Sequence, residues 1–140
     1  MRQALTSPRF VVALLAILFA LNFFGVLFDW YASVGWLDNV HHFLGGFWIG
    51  VLGFYLARAR PRLFALPGSF LGTFVALLAF TALAGVAWEI YEFVFYRILS
   101  SSGSFPPPQF GHADTISDLG FDLFGAAVAA VLARDPEPRV

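Results

Sequence analysis

Asp38, His41 and His42 stand at spacings i, i+3 and i+4, so on a helix the carboxylate shares a face with both imidazoles one turn later. Such a triplet can ligate a cation, or the carboxylate can fix the tautomer of an imidazole that does so. Asp is also a favoured N-cap residue, so Asp38 equally suits the start of a helix. Glu89 and Glu92 lie one turn apart with apolar residues on both flanks. Facing lipid, this pair would be prohibitively costly; it must face a bundle interior with a cation or a shared proton, or lie high enough in the interface to reach water. Asp114, Asp118 and Asp122 form a third stripe at i, i+4 and i+8. There Thr115 as N-cap with Asp118 at N3 reads as a capping box, and the helix macrodipole favours acids in the first turn. Asp122 lies deeper and needs a partner across the bundle.

Carboxylates and histidines projecting from facing helices are the usual construction of a metal site in a bundle core. Oxygen ligands with one or two imidazoles suit a divalent Zn, Mn or Fe ion, and ligand type alone does not choose among them. Cysteine is absent, which removes thiolate sites and disulfides. No nucleophile elbow, P-loop or dinucleotide fingerprint is present.

The elements that must position these residues are apolar. Of the 140 residues 59% are hydrophobic and 12% charged, too little polar surface to cover a water-soluble domain. About 20 apolar residues at a 1.5 Å rise span a bilayer. Four such runs, near 10–28, 37–57, 69–98 and 115–132, predict an all-α, polytopic membrane protein: a single four-transmembrane-helix bundle. The first run is too long for the h-region of a cleaved signal peptide, and no small-x-small site follows it. Lysine is absent. Arg2 and Arg9, then Arg58, Arg60 and Arg62, then Arg134 and Arg139 fall on one side of such a bundle, with Arg97 opposite. By the positive-inside rule both termini are cytoplasmic. All three polar clusters then meet at the outer end, where Trp30, Tyr31, Trp36, Tyr91 and Tyr96 supply an aromatic belt.

The outer connection 100–112 contains Pro106, Pro107 and Pro108, which stiffen it into a lid or a spacer. Gly46, Gly50 and Gly53, and Gly68 and Gly72, follow small-residue spacings that let helices approach closely. They serve packing within the bundle or between protomers of a homo-oligomer. The net charge is −1 without a basic patch, so nucleic acid is not an expected partner; the lipid bilayer is.

Leu37-Asp38-Asn39-Val40-His41-His42-Phe43, then Glu89-x-x-Glu92, then Asp114-Thr115-x-Ser117-Asp118 resemble the YjdF-like bacterial inner-membrane proteins over the second to fourth spans. Asp followed four residues on by His-Phe matches Asp38, His42 and Phe43, so the resemblance selects His42 over His41. A more distant similarity is to VanZ-like membrane proteins, whose Asp-x-x-x-His-Phe, Glu-x-x-Gln and Asp-x-x-x-Asn-x-x-Gly elements fall on Asp38 to Phe43, Glu89 to Glu92 and Asp118 to Gly125. Here Glu92 replaces Gln and Asp122 replaces Asn, making the site more acidic and more suited to a cation. The YjdF-like proteins carry an acid before the fourth span where this chain has Gly111-His112. The resemblance implies a shared fold and site, and the VanZ-like proteins' link to glycopeptide-antibiotic resistance implies envelope chemistry.

The resulting expectation is an inner-membrane protein with a metal site open to the extracytoplasmic side. Asp38, His42, Glu89 and Asp118 are its first ligands and Asp114 a further one, with Glu92 and Asp122 as catalytic or proton-transfer carboxylates. As an enzyme it would act on a lipid-linked or amphipathic substrate. The competing expectations are a proton- or ion-coupled transporter and an accessory subunit whose polar cluster fixes helix packing.

Overall fold

A computed structural model describes residues 2–101 and 111–133 as helices joined by turns. The helices are α1 (Arg2–Leu5), α2 (Pro8–Leu27), α3 (Trp30–Ser33), α4 (Leu37–Ala59), α5 (Phe70–Ser101) and α6 (His112–Ala133). Four of them, α2, α4, α5 and α6, are long and apolar enough to cross a membrane. The proline-rich stretch expected to act as lid or spacer, and the C-terminal arginines used for orientation, lie outside the described residues.

Local chemistry sets the helix starts. Ser7 caps α2, accepting a hydrogen bond from the Phe10 amide at 3.2 Å, with Pro8 in the first turn, where its missing N–H costs nothing. Ser69 does the same for α5 through the Gly72 amide at 3.1 Å. The turn after α2 depends on Asp29 at φ 55°, a left-handed conformation that Asp tolerates better than most side chains. The short connection expected at 29–36 thus contains one helical turn, α3.

Two N-termini differ from expectation. Trp36 occupies the cap position of α4, placing Asp38 inside the first turn. At α6 the Gly111 carbonyl accepts from the Asp114 and Thr115 amides at 2.9 and 3.3 Å. The helix therefore begins one turn upstream of Thr115, which lies inside it and does not cap it.

Antiparallel neighbours pack as sequential connections dictate. The Trp48 indole N–H donates to the Val11 carbonyl at 2.8 Å, and Arg58 Nη1 donates to Thr6 Oγ1 at 2.7 Å, fastening α2 to α4. The most intimate seam, however, joins α4 to α6, which are not consecutive and run parallel. A methyl on Gly46 would overlap the Asp122 carbonyl, one on Gly50 would sit 2.8 Å from Ala129 Cβ, and one on Gly125 would overlap the Phe43 carbonyl. Apolar burial gives helices in lipid no net drive to associate, so close van der Waals contact of this kind carries the packing. Gly53 receives Leu77 of α5, whereas Gly68 faces open space and Gly72 meets its own Pro67 and Ser69. The last two therefore do not join helices. Beyond the glycines, Val11, Val51, Phe54, Leu77, Ala129, Ala130 and Ala133 form the apolar core, at the end of the bundle away from the acids.

Candidate metal centre

Because α4 and α6 run parallel, their N-termini share one end of the bundle, and the antiparallel α5 brings its C-terminal half to the same place. Two positive dipole ends favour carboxylates there, and Asp38 and Asp114 occupy the first turns. The Ser117 hydroxyl donates to Asn39 Oδ1 at 3.1 Å, tying the two helices together next to the acids.

His42 is the centre of the arrangement, with 4% of its surface exposed. Its Nδ1 lies 3.4 Å from Asp122 Oδ1 in a hydrogen-bonding contact. With the proton held on Nδ1, the Nε2 lone pair points to the other side of the ring, the tautomer a metal-binding imidazole requires. Nε2 is 3.8 Å from both Asp38 Oδ1 and Glu89 Oε1. That spacing is too long for a hydrogen bond. It is close to the ~3.4 Å separating two ligands of a tetrahedral ion with bonds of about 2.1 Å.

One ligand atom each from Asp38, His42 and Asp118 fall within 4.8 Å of one another, and so do atoms of His42, Glu89 and Glu92. The structure therefore gathers Asp38, His42, Glu89, Glu92 and Asp118 around one imidazole, with Asp122 behind it. Asp114, half-buried at the rim, joins neither set among the described residues. Four buried atoms of the cluster, His42 Nε2, Glu89 Oε1, Asp118 Oδ1 and Asp122 Oδ2, have no hydrogen-bond partner among the described residues. Thr115, displaced from its expected capping role, lies beside Glu89 instead.

His41 points elsewhere. Its Nδ1 is 3.1 Å from the Tyr31 hydroxyl, and its ring stands edge-on to Trp88. Tyr31 packs over Gly25, where a methyl would approach its ring to 2.7 Å. Burial, reinforced by Asp38, pushes its phenol above the usual range, so it keeps a proton to donate to His41. Asp29 stays on the exposed turn, apart from the cluster.

The arrangement needs two further glycines, of which Gly125 closes the VanZ-like element and Gly85 belongs to no motif. Gly85 makes room for Asp122, whose Oδ2 would lie 2.5 Å from a methyl at that position. Gly125 lets α6 reach the α4 backbone. The signal for Gly125 was available in the small-residue stripe Gly125, Ala126, Ala129, Ala130 and Ala133; an isolated glycine such as Gly85 gives none.

Four long apolar helices with a buried His/Asp/Glu cluster define a multi-pass membrane protein. The chain belongs to the family described as "Predicted membrane protein (DUF2238)", whose profile matches residues 1–135. It is also 32% identical over 111 residues to an "Uncharacterized protein" of Thermotoga maritima, an alignment covering 79% of this chain and 50% of that protein. The chain thus spans about half the length of this relative. No solved structure matches.

Proposed function

We propose that this protein binds a divalent Zn, Mn or Fe ion through Asp38, His42, Glu89 and Asp118, at the extracytoplasmic end of a bundle in the bacterial inner membrane. The observation that carries the reading is His42 Nε2: buried, without a hydrogen-bond partner among the described residues, and 3.8 Å from two carboxylate oxygens. An imidazole that merely shared a proton with these carboxylates would close to hydrogen bonds of about 2.7–2.9 Å. An ion between the donors satisfies the orphaned His42 Nε2, Glu89 Oε1 and Asp118 Oδ1 and offsets the repulsion of so many buried acids.

Asp122 is the positioning residue that holds the imidazole, and Asp114 at the rim is an additional ligand for an arriving ion. Glu92 is the carboxylate left to act as general base. A bound ion would supply Lewis acidity or an activated water, and the substrate class it suits is a lipid-linked or amphipathic molecule of the envelope. The orientation rests on Arg9, Arg58, Arg60 and Arg62, at the end of the bundle opposite the acids, which the positive-inside rule assigns to the cytoplasm.

X-ray absorption at the metal edge of the loaded protein is the test. One imidazole with a remaining shell of oxygens is expected, and the imidazole signal should vanish in His42→Gln. An all-oxygen shell in the wild type would reject the ligand set.

A further inference from the structure

Helices α2 and α5 run side by side in the same direction without a close seam between them. Two cavities, of about 190 and 370 Å³, follow the gap and share Phe19 and Asn22 as walls. The deeper one reaches His42, Asp122 and Thr81; the outer one is bounded by α2 and α5 alone and reaches Glu92 and Tyr96. Their α2 flank is open, with Phe19 72% and Phe23 55% exposed. From Thr81 to Tyr96 the groove follows α5 for about 22 Å at a 1.5 Å rise, more than one leaflet of a hydrocarbon core about 30 Å thick.

We propose that this groove holds one hydrocarbon chain of a membrane lipid, admitted sideways between α2 and α5, with the lipid's polar part brought to the wall formed by His42, Asp122 and Glu92. The solvent at the open flank is lipid, and an apolar slot open to lipid and longer than a leaflet is filled by a chain. Because a chain gains nothing from leaving one apolar medium for another, its residence depends on fit to the slot and on a polar anchor. Asn22 of α2, a wall of both cavities, offers one, whereas Thr81 lines the deeper cavity with its hydroxyl buried. The proposal names the substrate class of the centre described above and, for the polar part only, rests on that reading.

The test uses full-length protein in phosphatidylcholine nanodiscs containing a trace of stearic acid that bears a mid-chain diazirine. After irradiation, adducts are mapped by mass spectrometry of peptides. Adducts concentrated on the α2 and α5 walls, rather than on the lipid-facing Phe124 and Val131 of α6, are expected. Filling the groove by Ala84→Phe or, nearer its mouth, Val26→Phe should lower the groove adducts about tenfold while metal content stays at the wild-type level. Asp118→Asn, which alters the ion site and not the groove, should keep the adducts. Adducts spread evenly over lipid-facing positions, or undiminished in both filled variants, would overturn the proposal, as would adducts that vanish in Asp118→Asn. Adducts retained in a protein that never binds metal would uphold the chain site and refute only the metal reading.

Discussion

Replacing Gly125 with alanine should weaken metal binding without touching any polar residue. The new methyl would overlap the Phe43 carbonyl oxygen and lie 2.6 Å from the Phe47 nitrogen, where ordinary contact begins near 3.4 Å. Both are backbone atoms and cannot rotate away, so α6 must retreat from α4 by about 1 Å, a displacement that can cost ~100-fold at a built site. Asp38 and His42 are on α4, Asp118 and Asp122 on α6, so the retreat divides the ligands. The contact between His42 Nδ1 and Asp122 Oδ1, already 3.4 Å, would pass beyond hydrogen-bonding range. Losing such an outer contact alone costs about 10–100-fold in affinity. A loss of about 100-fold, or ~2.7 kcal/mol, is expected in a chelator-competition titration with Zn or Mn. Overpacking should also lower stability by about 1–3 kcal/mol. Gly120→Ala is the control: the same helix, the same substitution, but nothing within 4 Å of the added methyl. Wild-type affinity in Gly125→Ala, or an equal loss in Gly120→Ala, would refute the idea that the α4–α6 seam sets the ligand spacing.

Other substitutions separate the roles within the cluster. Asp122→Asn keeps an oxygen to accept from His42 Nδ1 and should lower affinity by about 10–100-fold, whereas Asp122→Ala should lose more, both read by the same titration. His41→Phe should leave metal affinity at the wild-type value, since His41 faces Tyr31 and Trp88; a large loss there would move the centre to the other imidazole. Metal occupancy should fall as pH is lowered from about 7.5 to about 5, because protons compete with the ion for His42 and the carboxylates. Occupancy flat over that range would contradict a site built on an imidazole nitrogen.

The four membrane helices were legible because apolar length is a one-dimensional property. The meeting of Asp38, His42, Glu89 and Asp118 followed from it, since each cluster sits near a helix end and alternating helices bring those ends together. What could not be read was which side chain touches which. Spacing alone made His41 and His42 equivalent partners of Asp38; the resemblance favoured His42, and the rotation of α4 turns it inward and His41 toward Tyr31. The part played by Asp122 was also hidden. It needed a partner across the bundle, but the choice of His42 Nδ1 depends on the parallel α4–α6 seam, and non-consecutive packing is not encoded in any local pattern. At the start of α6 a capping box was plausible, yet the Gly111 carbonyl begins the helix a turn earlier and leaves Thr115 inside it.

The central claim is that an ion, not a set of shared protons, occupies the space beside His42 Nε2. Elemental analysis of detergent-purified protein, wild type beside Glu89→Gln and Asp118→Asn, tests it most directly. Stoichiometric Zn, Mn or Fe is expected in the wild type, and its loss in both variants. Wild-type protein that stays metal-free after reconstitution with each ion would contradict it.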